Sequence, residues 1–256
     1  MYKKIKQIIN KYFTNVQITE LHKGNTNANL YQLTTANEGV FLLKNQKDCL
    51  DNYYKNLQWL QHKIAVPSVH FYEQYLNEHY LCTEFINGYT LEDLLASWNP
   101  EKIIITYALV LKQLHALPLN DLALVVNLEN RLNTAKQRMM DKAIDLNELQ
   151  PAYIGVDIEE LFFQLQALKP TQFDYVFTHG DYCFDNIIMQ KNGIAALIDV
   201  GNGGKADRYL DIALAVRSIK NEWKDERLIS LFYTSYGLKE IDEQKLAFYT
   251  LLDEFF

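Results

Sequence analysis

Three oxygen-bearing side chains are spaced as phosphoryl transfer requires: Asp181, then Asn186, then Asp199 at the far end of the next expected hairpin. They lie in the run Phe177 to Leu214, FTHGDYCFDNIIMQKNGIAALIDVGNGGKADRYLDIAL. That chemistry needs a carboxylate to orient an acceptor hydroxyl and hard oxygen ligands for Mg²⁺. Asn and Asp offer oxygen without thiol or imidazole, which favours Mg²⁺ over Zn²⁺. Each of the three alone reads as a turn residue, because Asp and Asn favour loops. Turn propensity does not explain their joint order of strand, His179-Gly180-Asp181, Asn186, hairpin and Ile198-Asp199-Val200-Gly201. A hairpin brings its ends together, so Asn186 and Asp199 are expected to face one another.

The elements that would position these groups change character once along the chain. Up to about Ile86 the apolar runs are short and strand-like: Val16 to Leu21, Leu30 to Thr34, Val40 to Leu43 and His79 to Phe85. Leu57, Leu60 and Ile64 recur at helical spacing within Tyr53 to Ile64, and Pro67 follows as a stop. After Asn87-Gly88 the pattern turns helical. Thr90 is a candidate N-cap with Asp93 behind it. Ile104, Tyr107, Ala108, Leu111, Leu114 and His115 form one helical face, Leu132 to Ala143 a further helix, and Ile158 to Leu165 another. Tyr175 to Phe177, Ile187 to Met189 and Ile194 to Ile198 read as strands, the last two joined across Asn192-Gly193. The expected class is α+β, with a small β-rich lobe over residues 1–86 and a larger, mainly helical lobe over residues 87–256.

With 256 residues, 48% hydrophobic and 22% charged, the chain is long enough for two lobes sharing a cleft. Its net charge of -7 disfavours nucleic acid and anionic membrane and suits a cationic partner if the charge gathers at a cleft. No apolar run approaches the ~18 to 20 residues that span a bilayer. The N-terminal MYKKIKQIINKYF is basic and amphipathic, without the apolar core or cleavage site of a secretory signal. Cys49, Cys82 and Cys183 lack C-x-x-C spacing, which argues against a disulfide framework or a structural zinc site and for a cytoplasmic location. Cys183 has no basic partner in its motif and reads as a neighbour of the site. His115 reads as a hydrogen-bonded core residue.

The runs THGDYCFDNII, LIDVGNGGKADRYLDIALAVRSI and the terminal LLDEFF resemble the aminoglycoside 3′-phosphotransferases, antibiotic-resistance kinases with the protein-kinase-like fold. The likeness is dense from Phe177 to Phe256 and traceable upstream in FLLK ending at Lys44, WLQHKIAVPSV from Trp59, TEFING from Thr83, LHAL from Leu114 and NLENRL ending at Leu132. It implies transfer of the γ-phosphate of ATP or GTP to the 3′-hydroxyl of an aminoglycoside. By the same resemblance Asp181 is the catalytic base, Asn186 and Asp199 hold Mg²⁺, and Lys44 pairs with the α- and β-phosphates. His179, grouped with these catalytic residues, braces the loop, as does Asp207, and Asp211 opens the next helix. Gly24 and Thr26 lie in the loop over the phosphates, GNTNANLY. The backbones of Thr83 and Phe85 hold adenine. Asp253, Glu254 and the Phe256 carboxylate bind substrate ammonium groups.

The chain departs from the family on its first long helix, besides carrying Thr26 where the family usually has Ser and a shortened connection from Lys44 to Trp59. The family's helix glutamate that pairs with the lysine is Tyr53 here, and no Glu occurs between Lys44 and Glu73. Asp51 is the nearest substitute carboxylate. The same catalytic block also serves kinases of choline, homoserine or methylthioribose. A catalytically weak nucleotide- or drug-binding homologue is the rival from another class, and no peptide platform for a protein kinase is evident.

Overall fold

The computed structural model describes residues 2–21, 28–190 and 193–256, and two separate hydrophobic cores organise them. The smaller core lies under an antiparallel sheet of order β1-β2-β3-β5-β4, built from Gln17–Leu21, Asn29–Thr34, Val40–Gln46, Val69–Tyr75 and Glu78–Glu84 in chain order. Helix α1 (Tyr2–Tyr12) places Ile5, Ile8 and Ile9 against Tyr31, Leu33, Leu43 and Tyr80 of this sheet. The basic amphipathic N-terminus therefore covers a sheet face, which its apolar stripe makes favourable. Strand β4 was not expected from the sequence. Of its residues only Phe71 is fully buried, so VHFYEQY carries little apolar alternation.

Helix α2 (Asp51–Leu60) starts two residues earlier than its apolar spacing suggests and ends before Ile64. Its Leu57 and Leu60 belong to the larger core, so α2 leans on the helical lobe as well as the sheet. Buried Asn56 fixes that lean by donating to the carbonyls of Val200 at 2.7 Å and Gly203 at 2.9 Å. The short strand β6 (Tyr89–Thr90) follows the connector. Thr90 and Asp93 do exchange reciprocal bonds, Thr90 N–H to Asp93 and Asp93 N–H to Thr90 Oγ1, but a series of turns follows instead of an α-helix.

The larger core is mainly helical. Helix α3 (Pro100–His115) is capped by Asn99, carries Pro100 in its first turn, and buries the face expected from its spacing. Helices α4 (Leu128–Met140) and α5 (Ile158–Leu168) follow. A β island then interrupts the helices. Strand β7 (Tyr175–Thr178) pairs with β10 (Gly204–Asp207), and β8 (Ile187–Gln190) pairs with β9 (Gly193–Leu197). Helices α6 (Tyr209–Glu222), α7 (Glu226–Tyr236) and α8 (Glu243–Asp253) complete the chain. No helix among the described residues is long and apolar enough to cross a membrane.

Candidate active site

The loop that follows β7 is held from below by one buried carboxylate. Asp211, fully buried near the start of α6, accepts from the backbone N–H of His179 at 2.6 Å and of Gly180 at 2.8 Å. His115 of α3 reaches the same carboxylate at 3.0 Å and Tyr236 of α7 at 2.8 Å. Three helices thus converge on the loop backbone, and His115 is the hydrogen-bonded core residue its apolar face suggests. Gly180 has φ +80, and a Cβ there would lie 2.2 Å from the Asn202 carbonyl oxygen, so both conformation and space require glycine. Asp207 lies elsewhere. It pairs with Lys245 at 2.6 Å and accepts from the N–H groups of Asp174 and Tyr209, so it anchors α8 to the head of α6 and does not brace the loop directly.

His179 is fully buried, and its Nε2 lies 2.9 Å from the Ile198 carbonyl. Its side chain therefore ties the loop to the residue before Asp199, and touches no space open to an acceptor. Asp181 is partly exposed beside it. The Asn186 amide nitrogen donates to the Asp181 carbonyl at 2.8 Å and to its carboxylate at 3.1 Å, which fixes the carboxylate's direction. Cys183, next to this pair, has a thiol pushed up to about 12 by burial and then by the Asp181 charge, so it stays protonated and inert.

The β8–β9 pairing sets Ile187 opposite Leu197, and Ile198 N–H donates to the Asn186 carbonyl at 3.0 Å. Asp199 is the next residue, so the hairpin brings it to the side of Asn186. Its backbone is left-handed, φ 55 and ψ 42, a conformation that Asp tolerates better than most residues. Lys44 of β3 reaches Asp199 Oδ1 at 2.9 Å across the cleft. Among the described residues, nothing donates to the Asn186 side-chain oxygen Oδ1 or to the second Asp199 oxygen. Two neighbouring hard oxygen donors without thiol or imidazole fit Mg²⁺.

Asp51 does not replace the missing helix carboxylate. It accepts from the Tyr72 hydroxyl at 2.6 Å and lies 3.7 Å from Lys55, with no contact to Lys44. The residue on α2 that meets the lysine is Tyr53. Its ring lies 5.2 Å from the Lys44 ammonium, and its hydroxyl accepts from the Asp199 N–H at 3.0 Å. Burial, and then the Asp199 charge, push its pKa above the usual tyrosine range, so the hydroxyl stays neutral. The sequence did carry a signal for it, a phenol where a carboxylate is absent, but a helical tyrosine more often reads as core.

Gly24 and Thr26 lie outside the described residues. At the other edge of the cleft, Thr83 sits inside β5 between Leu42 and Val69, and Phe85 N–H donates to the Val40 carbonyl at 3.1 Å. The sheet ladder therefore takes the Phe85 donor expected to face adenine. Among the described residues, the first backbone N–H groups beyond Phe85 without a protein acceptor are those of Ile86 and Asn87.

The C-terminal carboxylates are also engaged. Asp253 pairs with Arg217, and burial raises its pKa against that pairing. The Glu254 side chain is 1% exposed and accepts from the Gln150 backbone at 2.9 Å and side chain at 2.8 Å. Arg138 donates to the Phe255 carbonyl at 2.7 Å and to Phe256 O at 2.8 Å, and the Arg131 guanidinium covers the Phe256 ring at 4.5 Å. Of the three groups expected to bind substrate ammonium, two are engaged within the protein. Glu254 is buried with both oxygens bonded, and the Phe256 terminus is clamped by arginine.

A family model described as the phosphotransferase enzyme family matches residues 17–249. An aminoglycoside 3′-phosphotransferase of Niallia circulans is 34% identical over 200 residues, spanning 78% of this chain and 76% of that protein. One of Enterococcus faecalis is 30% identical and spans 98% and 97%. The solved structure of a type VIII aminoglycoside 3′-phosphotransferase superposes with a TM-score of 0.81 at 26% identity, covering 100% of this chain and 99% of that one.

Proposed function

Because the chain belongs to the aminoglycoside 3′-phosphotransferases of the phosphotransferase enzyme family, we propose that it moves the γ-phosphate of ATP to the 3′-hydroxyl of an aminoglycoside antibiotic and so confers resistance. The observation that carries this reading is the joining of Asp181, Asn186, Asp199 and Lys44 around one hairpin, in a fold shared with the type VIII enzyme. In this reading residues 1–86 serve the nucleotide, and residues 87–256 carry the catalytic loop and the antibiotic. The ATP supply favours the cytoplasm as its place of action.

In the proposed mechanism Asp181, its carboxylate aimed by Asn186, orients the 3′-hydroxyl and takes its proton as the phosphoryl group transfers in line. Lys44 would turn from Asp199 to the α- and β-phosphates of the nucleotide. Asn186 and Asp199 would hold Mg²⁺, which neutralises charge on the phosphates when bound. His179 keeps the Asp181 loop and the Asp199 strand end in fixed relation through Ile198. The adenine donor shifts to the Ile86–Asn87 backbone. Of the terminal residues, Asp253 is the one we assign to a substrate ammonium, which would share the carboxylate with Arg217. Most of the acceleration comes from positioning and electrostatics.

A coupled nucleotide-consumption assay tests the acceptor. Kanamycin should be turned over and its 3′-deoxy analogue should not. Equal turnover of both would refute the 3′ assignment, and ATP use with choline or homoserine alone would favour a metabolite kinase.

A further inference from the structure

Outside the catalytic cleft, three side chains with metal-ligating atoms meet where α2 begins. Cys49 precedes the helix, Asp51 is its first residue, and His79 comes from β5. One ligand atom from each lies within 4.8 Å of the others. Sequence spacing conceals this set, because His79 is distant from the other two and the fold alone brings it there. His79 is buried, Asp51 half-buried and Cys49 exposed, so the cluster has a fixed floor and an open mouth.

We propose that Cys49, Asp51 and His79 form a binding site for a zinc-class divalent cation, with water from the open side as the fourth ligand. The donor set of one sulfur, one imidazole nitrogen and one carboxylate oxygen suits Zn²⁺ and excludes the all-oxygen preference of Mg²⁺. Tetrahedral zinc holds such donors about 3.3 to 3.6 Å apart, so the cluster, bounded by 4.8 Å, needs to contract by at most about 1.5 Å. Cys49 can supply that movement, since it is exposed in the loop before α2. The Tyr72 hydroxyl donates to Asp51 Oδ1 at 2.6 Å, lies 2.6 Å from His79 Nδ1 and is also within hydrogen-bonding reach of Cys49, so it stands among the three donors and must swing aside as the ion enters. Lys55, 3.7 Å from Asp51, opposes a cation, but it is an exposed side chain able to turn into solvent. The bound ion would cross-link the start of α2 to β5, two residues before Tyr53. The site stands on its own geometry and does not depend on the phosphotransferase reading.

The test uses the full chain, stripped with a chelator and dialysed, then titrated with Zn²⁺ against a chromophoric competitor and separately with Co²⁺. One equivalent of Zn²⁺ should bind, and Co²⁺ should give a thiolate-to-cobalt charge-transfer band. Cys49→Ser, at an exposed position, should abolish the band and weaken Zn²⁺ by at least about tenfold. His79→Ala should do the same, with Asp51→Asn as the substitute if the buried histidine variant fails to fold. Absence of stoichiometric Zn²⁺ binding overturns the site. So does a band that survives Cys49→Ser, or Zn²⁺ binding that is lost only in Asp199→Asn.

Discussion

At Tyr53 the ring face and the hydroxyl act on two different groups, Lys44 on the sheet and the Asp199 backbone on the β8–β9 hairpin. A carboxylate at this position would hold the lysine by charge alone, whereas the phenol also supports the left-handed turn of Asp199. Tyr53→Phe removes one hydrogen bond, ordinarily about 0.5–1.5 kcal/mol, so kcat should fall about 2- to 10-fold with little change in KM for ATP. Tyr53→Leu also removes the ring beneath the ammonium, and KM for ATP should then rise as well. Wild-type kcat in the Phe variant, or wild-type KM in the Leu variant, would show that Tyr53 is only packing. Asp181 is a different case, because the proposed proton transfer passes through it. Asp181→Asn should lower kcat by ~10²–10⁴-fold without unfolding the protein, measured as initial rates beside a circular-dichroism melt. Near-normal turnover would remove Asp181 from the chemistry. These roles were unequally readable in the sequence. Asp181, Asn186 and Asp199 share one local strand–loop–hairpin unit, while the Tyr53–Asp199 contact joins residues 146 positions apart.

The loop that carries Asp181 is braced by α3, α6 and α7, which meet at Asp211. Removing that carboxylate leaves two buried backbone N–H groups unpaired, and each such orphan costs about 1–3 kcal/mol. Asp211→Ala should therefore lose at least about 2 kcal/mol in urea unfolding, with reduced turnover in what remains folded. A loss within about 0.5 kcal/mol, the range of an ordinary surface change, would contradict the hub assignment. Helices with a one-sided apolar stripe, such as α3, were legible from spacing. Strand β4 was not, since only Phe71 is fully buried, nor was β10, whose GKAD has no apolar run. Thr90–Asp93 shows the opposite error. The capping pair forms as its spacing suggests, but the following residues settle into turns.

For the molecule as a whole, α2 is the element that couples the two cores. It sends Leu57 and Leu60 into the larger one, Asn56 to the 200–203 turn and Tyr53 to Asp199, while Lys44 crosses from the sheet to the same aspartate. Both walls of the cleft therefore converge on the hairpin end that the sequence marked first. The net charge of -7 suits attraction of a polycation, although the C-terminal groups expected to receive it are largely bonded internally. The central claim is transfer to one particular hydroxyl, and the position of phosphate in the product tests it most directly. Kanamycin phosphorylated by this protein with ATP and Mg²⁺ should give one monophosphate, with phosphorus coupled by NMR to the proton at the 3′ carbon. Phosphate on any other hydroxyl, or ATP consumption without a kanamycin phosphate, would contradict the account.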